Sequence, residues 1–463
     1  MKCKLSFITL LLAAITVLAP FTALAEEAGQ PAATPAAVAP ATDVAPAPAA
    51  PPTAEAAAPQ NADPVLNTGD TAWMLVSSAL VLLMLPGLAL FYGGMVRSKN
   101  VLSTMMHSFV VMGLIAVQWV AVGYTIGFGN DIGGLVGGFN KLMLNGITID
   151  TLSNTIPELV FAMFQGMFAI ITIALISGAV AERMKFSAYC IFALLWSTLV
   201  YDPIAHWVWG GGWLSKLSPA ALDFAGGTVV HLSSGISALA LIIFLGKRHG
   251  FPQERMAPHS LPLTLLGAGL LWFGWYGFNA GSALAANGTA ALAFTTTTVA
   301  PAIAGLSWMV AEWIHAGKPS ALGFASGVVA GLVAITPAAG FVTPGWALLI
   351  GLGAGIICYL AILMKAKLKY DDSLDAFGVH GVGGTFGALA TGAFATVGAT
   401  GLISGNFGQF VSQAIAVGAA GAYAFIVTLV IAFILSKTIG LRVEKEDEII
   451  GLDQTQHSES AYN

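Results

Sequence analysis

The segments LDFAGGTVVH (222–231) and DAFGVHGVGG (375–384) decide how this chain reads. Each sets a histidine, His231 or His380, in an apolar stretch, behind an acid, Asp223 or Asp375, and four residues ahead of a glycine, Gly235 or Gly384. An ionisable side chain in hydrocarbon is costly, at least ~2.5 kcal/mol when charged, and normally faces a bundle interior or a cavity. Taken singly, either histidine reads as a satisfied core residue. As a pair at matching positions, they read as a functional unit.

Around these segments the chain is built for lipid. Of its 463 residues 57% are hydrophobic and 9% charged, against roughly 45–50% and 25% in soluble domains. Beyond residue 65, apolar stretches long enough to span recur at roughly 71–94, 101–128, 158–181, 186–206, 224–246, 262–284, 290–314, 320–338, 345–364, 378–398 and 410–436. The fold class is therefore an all-α membrane protein of eleven transmembrane helices. Fourteen Lys and Arg fall in one alternate set of connections, from Arg97 to Lys445, and only Lys141 and Lys216 in the other. Basic residues concentrate on the cytoplasmic side, so the N-terminus is expected outside and the C-terminus in the cytoplasm of the cell inner (plasma) membrane. The fifth and tenth spans then run in opposite senses. That is the layout of an inverted repeat, spans 1–5 against 6–10, with a transport site at the repeat interface.

Residues 1–25 read as a signal peptide: Lys2 and Lys4, an apolar run, then Ala23, Leu24 and Ala25 as a cleavage signal. The alternative, a first transmembrane helix, is opposed by Pro20 and by a run short of the ~20 residues that span. An Ala/Pro-rich segment, 26–64, is too poor in large apolar residues to bury a core and reads as a disordered linker. The transmembrane domain is expected over 65–438 and a cytoplasmic tail over 439–463. Cys3, Cys190 and Cys358 make no metal or disulfide framework. No HExxH, GxSxG or Walker A pattern occurs, and no basic run suggests nucleic acid. The expectation is a protein that is not an enzyme and carries no cofactor or metal.

Neutral imidazole donates from one nitrogen and accepts at the other, so two rings can form a line of alternating donors and acceptors for a small hydrogen-bonding solute. Glycines beside them, Gly226, Gly227 and Gly235, and Gly381, Gly383 and Gly384, allow close helix approach, or are ordinary small-residue packing.

Several further segments match a known pattern: FYGGMVRSKN (91–100), FQGMFA (164–169), PIAHWVWGGG (203–212), WYGFNAGS (275–282) and the tail GLDQTQHSESAYN (451–463). With the two histidine segments they lie in order across 68–463, and the chain resembles the ammonium transporters, with relatives in yeast and in the Rhesus proteins. The resemblance implies that Trp209 and Ser282, with Phe168, recruit NH4+ at the outer vestibule. It implies that Phe168 and Phe278 form a stacked gate, that His231 and His380 line the pore, and that Asp223 is a structural acid of the vestibule. Read from the residues alone, Trp209 also fits an interfacial aromatic belt, the phenylalanines core packing, and Asp223 an N-cap. The resemblance further implies a homotrimer with one pore per subunit, surrounded by membrane lipid, and a PII-type regulatory protein at the cytoplasmic face. The tail acids Glu444, Glu446, Asp447 and Glu448 also fit a plain solvated helix face. The rival function is an ammonium sensor coupled to nitrogen signalling, although the fused signalling domain of many such proteins has no counterpart in the short stretch after Gly440.

N-terminal sequencing of the chain isolated from membranes is expected to begin at Glu26. A mature chain that keeps Met1 overturns the signal-peptide reading.

Overall fold

The structure, a computed structural model, describes residues 65–462; the expected signal peptide and Ala/Pro-rich segment lie outside the described residues. Eleven helical bodies follow in order: α1 (Thr68–Met95), α2 (Ser98–Phe128), α3 (Glu158–Val180), α4 (Phe186–Val208), α5 (Gly227–Leu245), α6 (Leu261–Gly281), α7 (Gly288–Ala316), α8 (Ala321–Ile335), α9 (Pro344–Leu368), α10 (Phe377–Gly381 continued by Val382–Phe394) and α11 (Phe407–Thr438). Among the described residues nine are long and apolar enough to cross a membrane; α8 is shorter, and α10 is a five-residue turn joined to a thirteen-residue helix. Two short helices, α12 (Lys445–Ile450) and α13 (Leu452–His457), close the chain.

The helices sort by burial. α3, α4 and α5 are mostly enclosed, whereas α2, α9 and α11 leave most of their surface open. Open positions carry Val117, Ile243, Phe273, Ile314, Leu360 and Phe433. A belt of this kind suits lipid, where an exposed apolar side chain loses nothing.

At the centre α5 crosses α10. A methyl group on Gly235 would lie 2.0 Å from the Gly381 amide nitrogen, and one on Gly384 would lie 2.8 Å from that of Leu232. The two helices therefore touch main chain to main chain. The four-residue spacing from each histidine to its glycine makes this possible, because residues four apart share a helix face.

One end of the bundle is tied by charge. Asp371, between α9 and α10, meets Arg183 at 2.9 Å and Arg248 at 2.7 Å, and Glu182 meets Arg248 at 3.0 Å and Arg97 at 2.8 Å. Four inter-helix connections are locked together, with both carboxylates buried. Burial raises the Asp371 and Glu182 carboxyls, but the guanidiniums beside them outweigh it and hold both below the ordinary carboxylate range.

The tail lies back on the same end. Leu452 donates its N–H to Asn100 at 2.8 Å, Ser103 donates to Asp453 at 2.8 Å, and Lys99 donates to the Glu448 carbonyl at 2.8 Å. Glu444 and Glu446 are exposed, as a solvated face requires, but Glu448 is buried, pairs with Arg442 and accepts the His249 N–H at 2.9 Å. The acid run is thus split by function. Glu448 pins the tail, Glu444 and Glu446 face water, and Asp447 is half-buried.

Asp371→Asn leaves Arg183 and Arg248 short of a buried counter-charge, and the loss of one partner from such a set costs about 3–5 kcal/mol. The expected result is a marked fall in the thermal midpoint of the solubilised protein; an unchanged midpoint refutes the role. Because both carboxyls titrate below their unfolded values, their contribution is present at neutral pH. It is lost as pH falls through the depressed folded values, so wild type and variant converge in acid.

Candidate functional site

Asp223 builds the mouth of the site. Its carboxylate accepts the N–H groups of Gly226 at 2.8 Å, Gly227 at 2.6 Å, Thr228 at 2.9 Å and Val229 at 3.0 Å. These are the orphan donors at the start of α5, and a negative charge is stabilised there. Its backbone carbonyl accepts the Trp209 indole N–H at 2.8 Å. One residue thus caps the histidine-bearing helix and aims the tryptophan.

Trp209, Ser282, Phe168 and Asp223 line one cavity of about 460 Å³, together with Gln165 and Phe341. Ser282 donates its hydroxyl proton to the Phe278 carbonyl at 2.8 Å, which leaves its oxygen as an acceptor. The cavity ends on Phe168, and Phe278, which lines the next cavity, stacks against it. Phe168 and Phe278 stack with centroids 4.1 Å apart and planes 20° apart, and Trp209 meets the Phe168 edge at 5.9 Å and 88°.

Beyond the phenyl pair lie the histidines. Gly226, at φ 108°, lets the chain start α5 as a π-turn in which the His231 N–H reaches back to the Gly226 carbonyl at 2.9 Å. An L side chain rarely adopts that φ. His380 sits in a second π-turn, Phe377–Gly381. The rings lie nearly parallel, 5.3 Å between centroids, and the two Nδ1 atoms are 3.3 Å apart. One Nδ1 must donate and the other accept, so the two rings take complementary tautomers and at most one can be doubly protonated. His231 Nε2 has no hydrogen-bond partner among the described residues. His231, His380, Trp275 and Phe278 line a second cavity of only about 10 Å³, and His380 with Tyr92 and Asp375 lines a third of about 30 Å³. His380 therefore fronts both inner cavities.

Two residues of this arrangement were not read from the sequence. Trp275 stacks on His231 at 5.3 Å and 22°, held by a 2.9 Å bond to Thr336; it lies three residues before Phe278, so both fall on one helix face. Asp372, not Asp375, is the counterpart of Asp223: its carboxylate accepts the N–H groups of Ala376 at 3.0 Å, Phe377 at 2.9 Å and Gly378 at 3.3 Å. It stands eight residues before His380, as Asp223 stands eight before His231. That spacing was the available signal. Asp375 instead bonds Lys365 at the mouth of the third cavity. Burial, then the charge of Asp375, pushes the Asp372 carboxyl up to about 6.

Comparison with known proteins gives the family. The model of the Ammonium Transporter Family matches residues 72–462. The chain is 51% identical over 400 residues to the ammonium transporter Amt1 of Archaeoglobus fulgidus, covering 86% of this chain and 100% of that protein. Among solved structures, Mep2 of Candida albicans superposes with TM-score 0.78 at 36% identity, covering 82% of this chain and 88% of that one. A structure described as a sensor Amt protein gives TM-score 0.79 at 31% identity, covering 84% of this chain and 98% of that one. A family match over most of the chain and a full-length relative at half identity leave one assignment: this multi-pass membrane protein belongs to the ammonium transporter family.

Proposed function

We propose that the chain recruits NH4+ in the Trp209 cavity, removes its proton there, and conducts NH3 past His231 and His380 into the cytoplasm, with or without a separate proton. The observation that carries the proposal is the buried histidine pair, Nδ1 to Nδ1 at 3.3 Å, directly behind the stacked phenyl rings.

Magnitudes assign the steps. A cation over Trp209 gains roughly 0.5–2 kcal/mol, and the Ser282 oxygen adds an acceptor. Moving a bare ammonium-sized ion into a dry medium costs on the order of 20 kcal/mol in the Born limit. Recruitment cannot offset that, and the second cavity holds no room for a hydration shell. The ion therefore gives its proton to water in the vestibule, as H3O+, before the phenyl gate of Phe168 and Phe278, and continues as NH3. Past the gate, neutral imidazoles offer NH3 a donor and an acceptor in turn. Asp223, with its oxygens occupied by four N–H groups, acts by holding Trp209 and α5 in place.

The proposal includes an eleven-span arrangement with α8 and α10 as the short members. It includes an inverted repeat of α1–α5 against α6–α10, supported by the matched acids Asp223 and Asp372, the matched π-turns and the matched glycines. It includes a tail in the cytoplasm of the inner (plasma) membrane and an N-terminus outside, supported by the bias of Lys and Arg toward one set of connections. The exposed apolar faces of α6, α7 and α9 suit lipid or two further copies in a homotrimer, each subunit keeping its own pore. The docked tail, with Glu444 and Glu446 outward, is the surface offered to a PII-type protein. A second reading, an ammonium sensor, draws on the likeness to the sensor Amt structure. Growth of a deletion strain on limiting ammonium separates the two, since a pure sensor leaves uptake intact.

His231→Asp or His380→Asp places a fixed charge in the path and is expected to admit potassium while slowing ammonium uptake at least tenfold. Unchanged uptake with unchanged potassium exclusion refutes the pore assignment. On a solid-supported membrane, a transient current after an ammonium step is expected if a proton crosses separately; its absence leaves NH3 as the only moving species.

A further inference from the structure

Among the described residues four π-turns occur inside spanning helices, and they pack against each other in two pairs. One pair carries His231 and His380. The other, Trp119–Gly123 in α2 and Ser197–Tyr201 in α4, takes no part in the path described above. Such turns occur often at functional sites. Gln118 is the last residue before the first of them and Asp202 the first residue after the second.

Gln118 and Asp202 join the two turns. The Gln118 side-chain Nε2 donates to Asp202 Oδ2 at 2.8 Å and to Thr198 Oγ1 at 3.1 Å. The Thr198 hydroxyl spends its own proton on the Leu194 carbonyl at 2.8 Å, so it can only accept from Gln118. That fixes the amide with its nitrogen toward Asp202. Both side chains are buried within spans, Asp202 at 0% and Gln118 at 5% exposure.

Asp202 differs from the three aspartates already described. Asp371 has two arginines, and Asp223 and Asp372 each have a row of backbone N–H groups, whereas Asp202 has one neutral amide and, among the described residues, no Lys, Arg or His within ion-pair distance. An ionised carboxylate in that setting is among the least supported charges a membrane protein can hold. The atoms left without a partner are informative: Asp202 Oδ1 and Gln118 Oε1. Both are acceptors. A single proton on the carboxyl supplies the missing donor, because a neutral carboxylic acid donates its O–H while its other oxygen still accepts from the amide nitrogen.

We propose that Asp202 is a membrane-embedded proton-binding site, a neutral carboxylic acid at neutral pH whose proton is clasped between it and Gln118 across the two facing π-turns. The ligand is the proton itself. The hydroxyls of Ser197 and Tyr201, also buried and without a partner among the described residues, belong to the π-turn that ends at Asp202. A small monovalent cation is the competing ligand for so many oxygens, but the amide nitrogen turned toward the carboxylate opposes it. The site stands apart from the histidine path yet bears on it, since α4 runs on from Asp202 to deliver Trp209 to the vestibule.

Infrared spectroscopy of the full-length protein in lipid at neutral pH tests this. The expected result is a protonated-carboxyl C=O band that shifts in D2O, disappears in Asp202→Asn, and moves to higher wavenumber in Gln118→Leu, which removes the acceptor but keeps the acid. Gln118→Leu decides alone should Asp202→Asn not fold. A band unmoved in either variant overturns the proposal. So does a carboxylate band at Asp202 that responds to added Na+, K+ or NH4+, which assigns the site to a cation.

Discussion

Two imidazoles set side by side in the middle of a hydrocarbon slab are best held when each answers the other. A lone histidine there leaves a donor and an acceptor to be satisfied by the protein; a pair whose Nδ1 atoms meet at 3.3 Å satisfies one of each internally and leaves His231 Nε2 without a partner among the described residues. Much of the bundle follows from holding that pair. α5 and α10 must cross at main-chain distance, both must start as π-turns to bring the rings inward, and Phe278 and Trp275 must wall the pair off from the vestibule.

The charges elsewhere are arranged around the same demand. A helix that begins inside a membrane protein exposes N–H groups that water cannot reach, and Asp223 and Asp372 satisfy those of α5 and α10. Each acid is spent on its own helix, so neither projects a free charge onto the histidines. The arginine–carboxylate network is kept to the connections at one end, where four loops and the tail share it. The interior is thus left to neutral groups.

The sequence made the helices, the histidines and the glycines beside them readable, because apolar length, lone ionisable residues and four-residue spacing each have one dominant physical cause. Trp209, Phe168, Phe278 and Ser282 were readable only through likeness to a family: an aromatic in a span looks the same whether it packs or gates, and its assembly into one cavity depends on contacts between α3, α4, α5 and α6. Asp372 was overlooked in favour of Asp375 because both precede His380, and only the eight-residue interval separates them. The π-turns left no trace, since a one-residue widening of a helix changes neither composition nor hydropathy. Gln118 and Asp202, far apart in sequence, became a pair only once α2 and α4 were side by side.

The glycine crossing of α5 and α10 has a consequence for what the protein admits. Where side chains line a constriction, rotamer changes let it breathe; where Gly235 lies on the Gly381 backbone and Gly384 on that of Leu232, no rotamer stands between the helices. The separation of the helices that carry the histidines is therefore a rigid gauge, set by the thickness of two polypeptide backbones. On the proposed path, a spacing of that kind opposes bulk as well as charge, and it does so in the framework itself, behind the phenyl rings.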